Sequence, residues 1–158
     1  MEHPGEVQAA VIMRNLFFAF IVAAAMAAPV YAHHSFAMYD QTVTKTLSGK
    51  LTRYVPGANH AQLLFVVVDN DGNVVMKDGK PMQFGVETGS AIAMARNNVT
   101  VKTMAEGTFI TVRFYPLRDG RDFGALAGML ITCGKAMPHG GCTEQTGQRM
   151  IGDSFNAQ

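Results

Sequence analysis

Two consecutive histidines, His33 and His34, are the residues with the clearest potential for chemistry. They follow the sequence V-Y-A, in which Val30 and Ala32 occupy the −3 and −1 positions that signal peptidase requires to be small. Cleavage after Ala32 would leave the α-amine of His33 beside its own imidazole. Such a pair chelates transition metals, and Cu²⁺ is the divalent ion that nitrogen donors bind most tightly. The sequence therefore predicts a copper site at the mature N-terminus, with a merely solvated, frayed terminus as the alternative.

Two further residues could complete such a site. His60 offers a third imidazole, and the thioether of Met38 could contact Cu(I). Distance is the obstacle for His60, because a straight first strand of about 12 residues would advance about 40 Å. The segment from His33 to Gln41 could extend back by about 30 Å. The alternative is that His60 is a loop histidine bonded to nearby backbone groups.

Arg118 and Arg121 are the second concentration of polar chemistry. A guanidinium binds carboxylate or phosphate in bidentate fashion, so the two arginines are candidate ligand-binding residues. The same stretch also suits a tight turn at residues 119–120. In that case Arg118 would fold back onto Asp40 or Glu87 as a structural pair.

Cys133 and Cys142 are the only cysteines of the chain. In an oxidising compartment their C-x8-C spacing predicts one disulfide that closes a small loop. A Cys-His-Cys metal site with His139 is the alternative, which is disfavoured because free thiolates would oxidise there.

Motifs for catalysis are missing from the sequence. It contains no G-x-S-x-G elbow and no H-E-x-x-H site, and Glu87 is the one acidic residue inside a predicted strand. A lone carboxylate does not define an acid–base pair. We therefore expect a binding or accessory domain of unspecified ligand first, a copper-binding protein second and a secreted enzyme third.

The first 32 residues predict export to the periplasm or secretion. An apolar run at 16–28 follows Arg14, as in a signal peptide, and the stretch as far as Val30 is shorter than the roughly 20 residues of a transmembrane helix. We therefore expect no stable membrane span after processing. Residues 1–12 precede Arg14 and are atypical of a signal peptide. Translation that starts at Met13 would make them an artificial extension of the gene.

The charge balance of the mature chain argues against nucleic acid as a partner. After residue 32 there are twelve Lys or Arg against ten Asp or Glu, without a basic run. The partners that remain are a small ligand, a metal ion or another periplasmic protein.

Hydrophobic periodicity predicts a mainly β fold with one short helix. Alternating or continuous apolar segments separated by turn residues predict strands at 43–55, 62–69, 74–76 with 82–87, 110–115 and 125–132, and a helix at 91–96 with Ser90 as its N-cap. Gly49 lies within the first strand and suggests a bulge or bend there. Three strands, a helix and two strands form the order of a five-stranded OB-type barrel, with an open β-sandwich as the alternative. The predicted domains are a signal peptide at 1–32, an OB-like barrel at 33–132 and a disulfide loop with a tail at 133–158.

Four motifs together carry a resemblance to a family. They are H-H-S-F-A-M-Y-D from residue 33, L-S-G-K-L from 47, F-G-V-E-T-G-S from 84 and Y-P-L-R-D-G-R from 115, followed by Gly124. Over residues 32–132 the chain resembles exported bacterial proteins catalogued as a domain of unknown function. The resemblance implies an exported small β-domain and supplies no activity.

Overall fold

Short apolar strands joined by tight turns build a closed barrel. The computed structural model describes residues 36–152. The strands are β1 (Lys45–Val55), β2 (Gln62–Val68), β3 (Met76–Lys77), β4 (Lys80–Pro81), β5 (Gln83–Glu87), β6 (Phe109–Pro116), β7 (Phe123–Gly134) and β8 (Gln148–Ile151). A 3-10 helix at Phe36–Met38 precedes them, and helix α1 (Ala91–Arg96) lies between β5 and β6. The chain divides into two units, residues 1–37 and 38–158, and these strands and helix α1 belong to the second.

The order of the paired strands confirms the predicted OB-type barrel. Antiparallel neighbours run β5-β2-β1-β6-β7, and β5 also pairs with β7 in parallel through Gly85 and Phe123. That last pair closes the circle, so the open sandwich is excluded. Closure pairs the first part of β7 with β5 and places one face of each of the five strands in a shared core.

The core consists of side chains that point inward from every barrel strand. Phe65, Val112, Phe114 and Leu130 are fully or almost fully buried, and Met94 of α1 covers one end of the cluster. The hydroxyl of Ser90 accepts a hydrogen bond from the Ala93 amide at 3.2 Å, which confirms the predicted N-cap.

The first strand bends later than Gly49 suggested. The register of β1 against β2 shifts between Leu51 and Arg53, so the bulge expected at Gly49 lies further along the strand. Gly49 serves a different purpose, because a Cβ there would lie 2.1 Å from Cδ2 of Phe65. The absence of a side chain at residue 49 is what lets the Phe65 ring fill the core.

The C-terminal segment is fastened by the predicted disulfide. Cys133 and Cys142 are bonded to each other, with their Cα atoms 5.8 Å apart. This excludes the alternative Cys-His-Cys metal site, since both sulfurs are occupied. β8 then pairs with the second half of β7 and buries Ile151. The sequence had not indicated this strand.

Residues 36–152 contain no helix that is both long enough and apolar enough to span a bilayer.

Candidate functional site

Arg118 and Arg121 lie together at the rim of a cavity of about 530 Å³, which we call the arginine cavity. It opens where β1 begins and β6 ends, beside the loop that joins β6 to β7. Besides Thr46 and Gly120, the residues that line it are basic (Lys45, Arg118, Arg121), acidic (Asp40, Asp122) and apolar (Leu47, Met82, Phe84, Phe114, Pro116, Leu117). Both candidate ligand-binding residues of the sequence therefore face one site.

The β6–β7 loop is also the tight turn that the sequence predicted. The Gly120 amide donates to the Leu117 carbonyl at 3.3 Å, and Gly120 has a φ of +78°, in the left-handed region that favours glycine. The turn and the ligand-binding interpretations of this loop are compatible, since the turn is what presents the two arginines. The charge of Arg118 also lowers the pKa of Asp40, as the smallest of its causes.

The carboxylates at this rim already have donors. Asp122 accepts two bonds from Lys77 Nζ, at 2.6 and 2.8 Å, and Asp119 accepts from Arg121 Nε at 2.8 Å. Asp40 accepts from the Thr42 hydroxyl at 2.6 Å, and this bond is the main cause that lowers the pKa of Asp40. Hydrogen bonds from Arg121 likewise lower the pKa of Asp119.

Two aromatic rings form the apolar wall of the cavity. The centroids of Phe84 and Phe114 lie 4.7 Å apart with a 46° angle between the rings, and both side chains are buried. Gly124 makes room for this arrangement, because a Cβ there would lie 2.4 Å from Cδ2 of Phe114. The ring pair is thus held in place by the barrel, which favours a preformed wall.

A second group of polar side chains centres on Glu87. Tyr39 is 1% exposed, pairs with Leu117 through its backbone and hydrogen-bonds the Glu87 carboxylate through its phenol. Burial, followed by the charge and hydrogen bond of Glu87, raises the pKa of Tyr39 well above its usual range. Tyr39 therefore remains a neutral donor to Glu87. We refer to Tyr39, Glu87 and His60 as the Glu87 cluster.

His60 joins this cluster through one ring nitrogen. Its Nδ1 lies 3.5 Å from Oε1 of Glu87 and 3.4 Å from the Thr88 carbonyl oxygen. Because both neighbours are acceptors, Nδ1 is the ring nitrogen that donates to them. The backbone beside His60 is fixed, since the Thr88 amide donates to the Ala61 carbonyl at 2.8 Å. The backbone group that His60 contacts belongs to Thr88, 28 positions away in the chain, and not to the local segment that its alternative interpretation expected. Nε2 has no partner among residues 36–152.

The other predicted metal ligands are only partly located. His33 and His34 lie outside the described residues. Met38 is 45% exposed, and its carbonyl accepts a bond from the Arg118 amide at 2.9 Å. Between residues 36 and 152, no three or more His, Cys, Asp or Glu side chains are grouped so that they could hold a metal ion. His60 would therefore need donors from the N-terminal histidines.

Sequence reasoning did not anticipate Tyr39, Lys45 or Phe84 as site residues. Tyr39 lies within the H-H-S-F-A-M-Y-D motif, and that position was the one signal that could have drawn attention to it. Lys45 and Phe84 come from separate strands, and only barrel closure brings them to one cavity.

Comparison of the sequence with known proteins identifies its family. Searches of curated proteins and of solved structures each gave no match. A family model described as "family of unknown function (DUF6152)" matches residues 21–126, which are 106 of the 158 residues. This range includes the arginine cavity loop and the Glu87 cluster and ends before the disulfide. The chain thus belongs to the DUF6152 family of unknown function.

Proposed function

We propose that this protein is an exported binding domain of the periplasm or extracellular space, and that its ligand occupies the arginine cavity. The observation that carries this proposal is the cavity itself, which combines a rigid apolar wall with a few charged groups that converge on one opening. Small-molecule sites have this composition and a volume of roughly 300–1,000 Å³.

Export is supported by two independent features. The V-Y-A sequence after an apolar run is typical of a cleaved signal, and a disulfide is typical of proteins that fold in an oxidising compartment. Intact-mass measurement of protein isolated from the periplasm tests the start at His33. A mass that retains residues 1–32 would contradict export by this route.

Binding is tested by a fragment screen with protein that begins at His33. Fluorinated fragments are added to isotope-labelled protein, and shifts of backbone amide resonances locate the bound molecule. We expect bound fragments to shift the backbone amide resonances of Leu47 and of the loop at 117–122. A Leu47→Trp variant fills the cavity and should lose these hits, whereas Ile92→Trp, at a position 71% exposed on α1, should keep them. A screen without any hit at the cavity would count against the proposal.

Copper binding is a second candidate, favoured by the geometry of His60. A carboxylate and a backbone carbonyl hold Nδ1 while Nε2 stays available, which is the arrangement that commonly orients metal-ligating histidines. We propose that the His33 amine and imidazole form the primary chelate and that His34 and His60 add imidazoles. Met38, exposed on the same N-terminal segment, would serve Cu(I) if the ion were reduced.

The test of copper binding uses the native terminus and an extended one. Calorimetric titration with Cu²⁺ should show one site for protein that starts at His33 and much weaker binding after a Gly-Ser extension. His60→Gln should lower the affinity, and His139→Ala, in the disulfide loop, should leave it unchanged. Equal affinities for the two termini would remove the amine from the site.

A further inference from the structure

We infer that the arginine cavity takes a small organic carboxylate with a flat apolar body. This inference rests on the proposed binding function and names the chemical class of its ligand. Three properties of the cavity support it: the sign of the local charge, the ability of Arg121 to exchange partners, and the apolar wall.

The charged groups at the cavity sum to one net positive charge. The charged groups that line it, together with their ion-pair partners, are four cations (Lys45, Lys77, Arg118, Arg121) and three carboxylates (Asp40, Asp119, Asp122). Lys45 forms no ion pair with any residue from 36 to 152. A ligand with one negative charge would balance this excess.

Arg121 can change partners at low cost. Its ion pair with Asp119 joins side chains that are 69% and 52% exposed, and exposed pairs of this kind contribute little. The guanidinium can therefore turn toward a ligand while Asp119 keeps its bond from the Arg121 backbone amide at 3.1 Å. The planar fork of an arginine matches a carboxylate with two parallel bonds.

The wall of the cavity selects for an apolar body behind the anion. Phe84 and Phe114 line the cavity although both side chains are almost fully buried, and Leu47 and Met82, which also line it, are only partly buried. A flat hydrocarbon group would cover this surface and gain its hydrophobic free energy, at about 25 cal/mol per Å² of apolar area. Inorganic phosphate would meet the charge and leave the wall uncovered.

The experiment compares three probes on oxidised protein that starts at His33: 2-naphthoate, 2-naphthamide and inorganic phosphate. The protein has no tryptophan, so naphthalene fluorescence reports binding with little background. We expect 2-naphthoate to bind at least about ten-fold more tightly than the neutral amide, as a charge-assisted hydrogen bond implies. Phosphate should compete poorly.

Amino-acid substitutions distinguish the contribution of the arginine charges to binding from that of the apolar wall. Arg121→Gln and Arg118→Gln should bring the affinities for 2-naphthoate and 2-naphthamide close together, whereas Arg53→Gln, at an exposed position on β1 away from the cavity, should keep the difference. Equal affinity of the wild-type protein for both naphthalene probes would overturn the carboxylate class and leave the cavity as a binding site. Phosphate binding as tight as 2-naphthoate binding would overturn the apolar body. If neither naphthalene probe binds while fragments of other chemistry still map to the cavity, the inference fails and the proposed function stands.

Discussion

Reduction of the Cys133–Cys142 disulfide should lower the free energy of unfolding by about 2.7 kcal/mol. The two cysteines are separated by nine positions in the chain. In the chain-entropy model, a cross-link that closes a loop of about ten residues removes about 9 cal/mol/K of entropy from the unfolded chain, or about 2.7 kcal/mol at 25 °C. At an m-value of about 1.5 kcal/mol/M, the midpoint of urea unfolding should fall by about 1.8 M.

The assay is urea unfolding of the oxidised and the reduced protein, followed by circular dichroism. The chain has only these two cysteines, so dithiothreitol changes no other bond. A Cys133→Ala/Cys142→Ala variant should unfold near the midpoint of the reduced protein and should not respond to dithiothreitol. Native contacts also hold the loop, since Thr111 Oγ1 donates to the Cys142 carbonyl at 2.7 Å. Identical midpoints for oxidised and reduced protein would refute the entropic argument.

Three further substitutions test the packing and the protonation of buried groups. Gly49→Ala should lower the free energy of unfolding by about 1–3 kcal/mol, because the added Cβ would overlap the Phe65 ring. In a double-mutant cycle measured by urea unfolding, Phe65→Leu should recover part of this loss. Additive losses of the two substitutions would contradict the clash. Tyr54→Phe should leave the free energy of unfolding unchanged or raise it by up to about 1 kcal/mol, since the buried Tyr54 hydroxyl has no hydrogen-bond partner among residues 36–152. Thermal unfolding measures this, and a clear decrease in stability would show that the hydroxyl has a partner. The raised pKa of Tyr39 makes a stabilising contribution that is fully present below about pH 10, the unfolded value, and is lost as pH rises through the folded value. Urea midpoints from about pH 8 to 11 should therefore fall less steeply for Tyr39→Phe than for wild type, and parallel curves would contradict the assignment.

The barrel could be predicted because most of its determinants are local. Two D-G sequences mark turns: Asp78 and Gly79 both have positive φ, and so has Gly120 at 119–120. Alternating or continuous apolar segments define the strands. Once the order of three strands, a helix and two strands is known, few topologies remain, and the parallel pairing of β5 with β7 closes the barrel.

The features that escaped prediction depend on contacts between distant parts of the chain. Gly49 is needed by Phe65, which lies 16 residues away on the next strand, and no local pattern distinguishes this role from a bulge. β8 has only four residues, so its periodicity is too short to detect, and it forms because the second half of β7 offers an edge. The apolar wall of the arginine cavity likewise depends on contacts between residues that are distant in the sequence.

The two candidate sites share one structural support, the segment from Met38 to Asp40. The Asp40 amide donates to the Pro116 carbonyl at 2.8 Å, and the Arg118 amide donates to the Met38 carbonyl at 2.9 Å, so this segment is fastened to the chain that leads into the arginine loop.

Tyr39 then connects this segment to the Glu87 carboxylate, which contacts His60. Tyr39 and His60 thus meet at one carboxylate, so the separation that a straight first strand would impose does not apply at residue 39. The charge of Arg121 lowers the pKa of Tyr39, as the smallest of its causes, so a ligand that draws Arg121 away from Asp119 would also change the charge near this phenol. If both proposals hold, occupancy of the arginine cavity and of the histidine site should influence each other, and equal copper affinities with and without 2-naphthoate would show that they are independent.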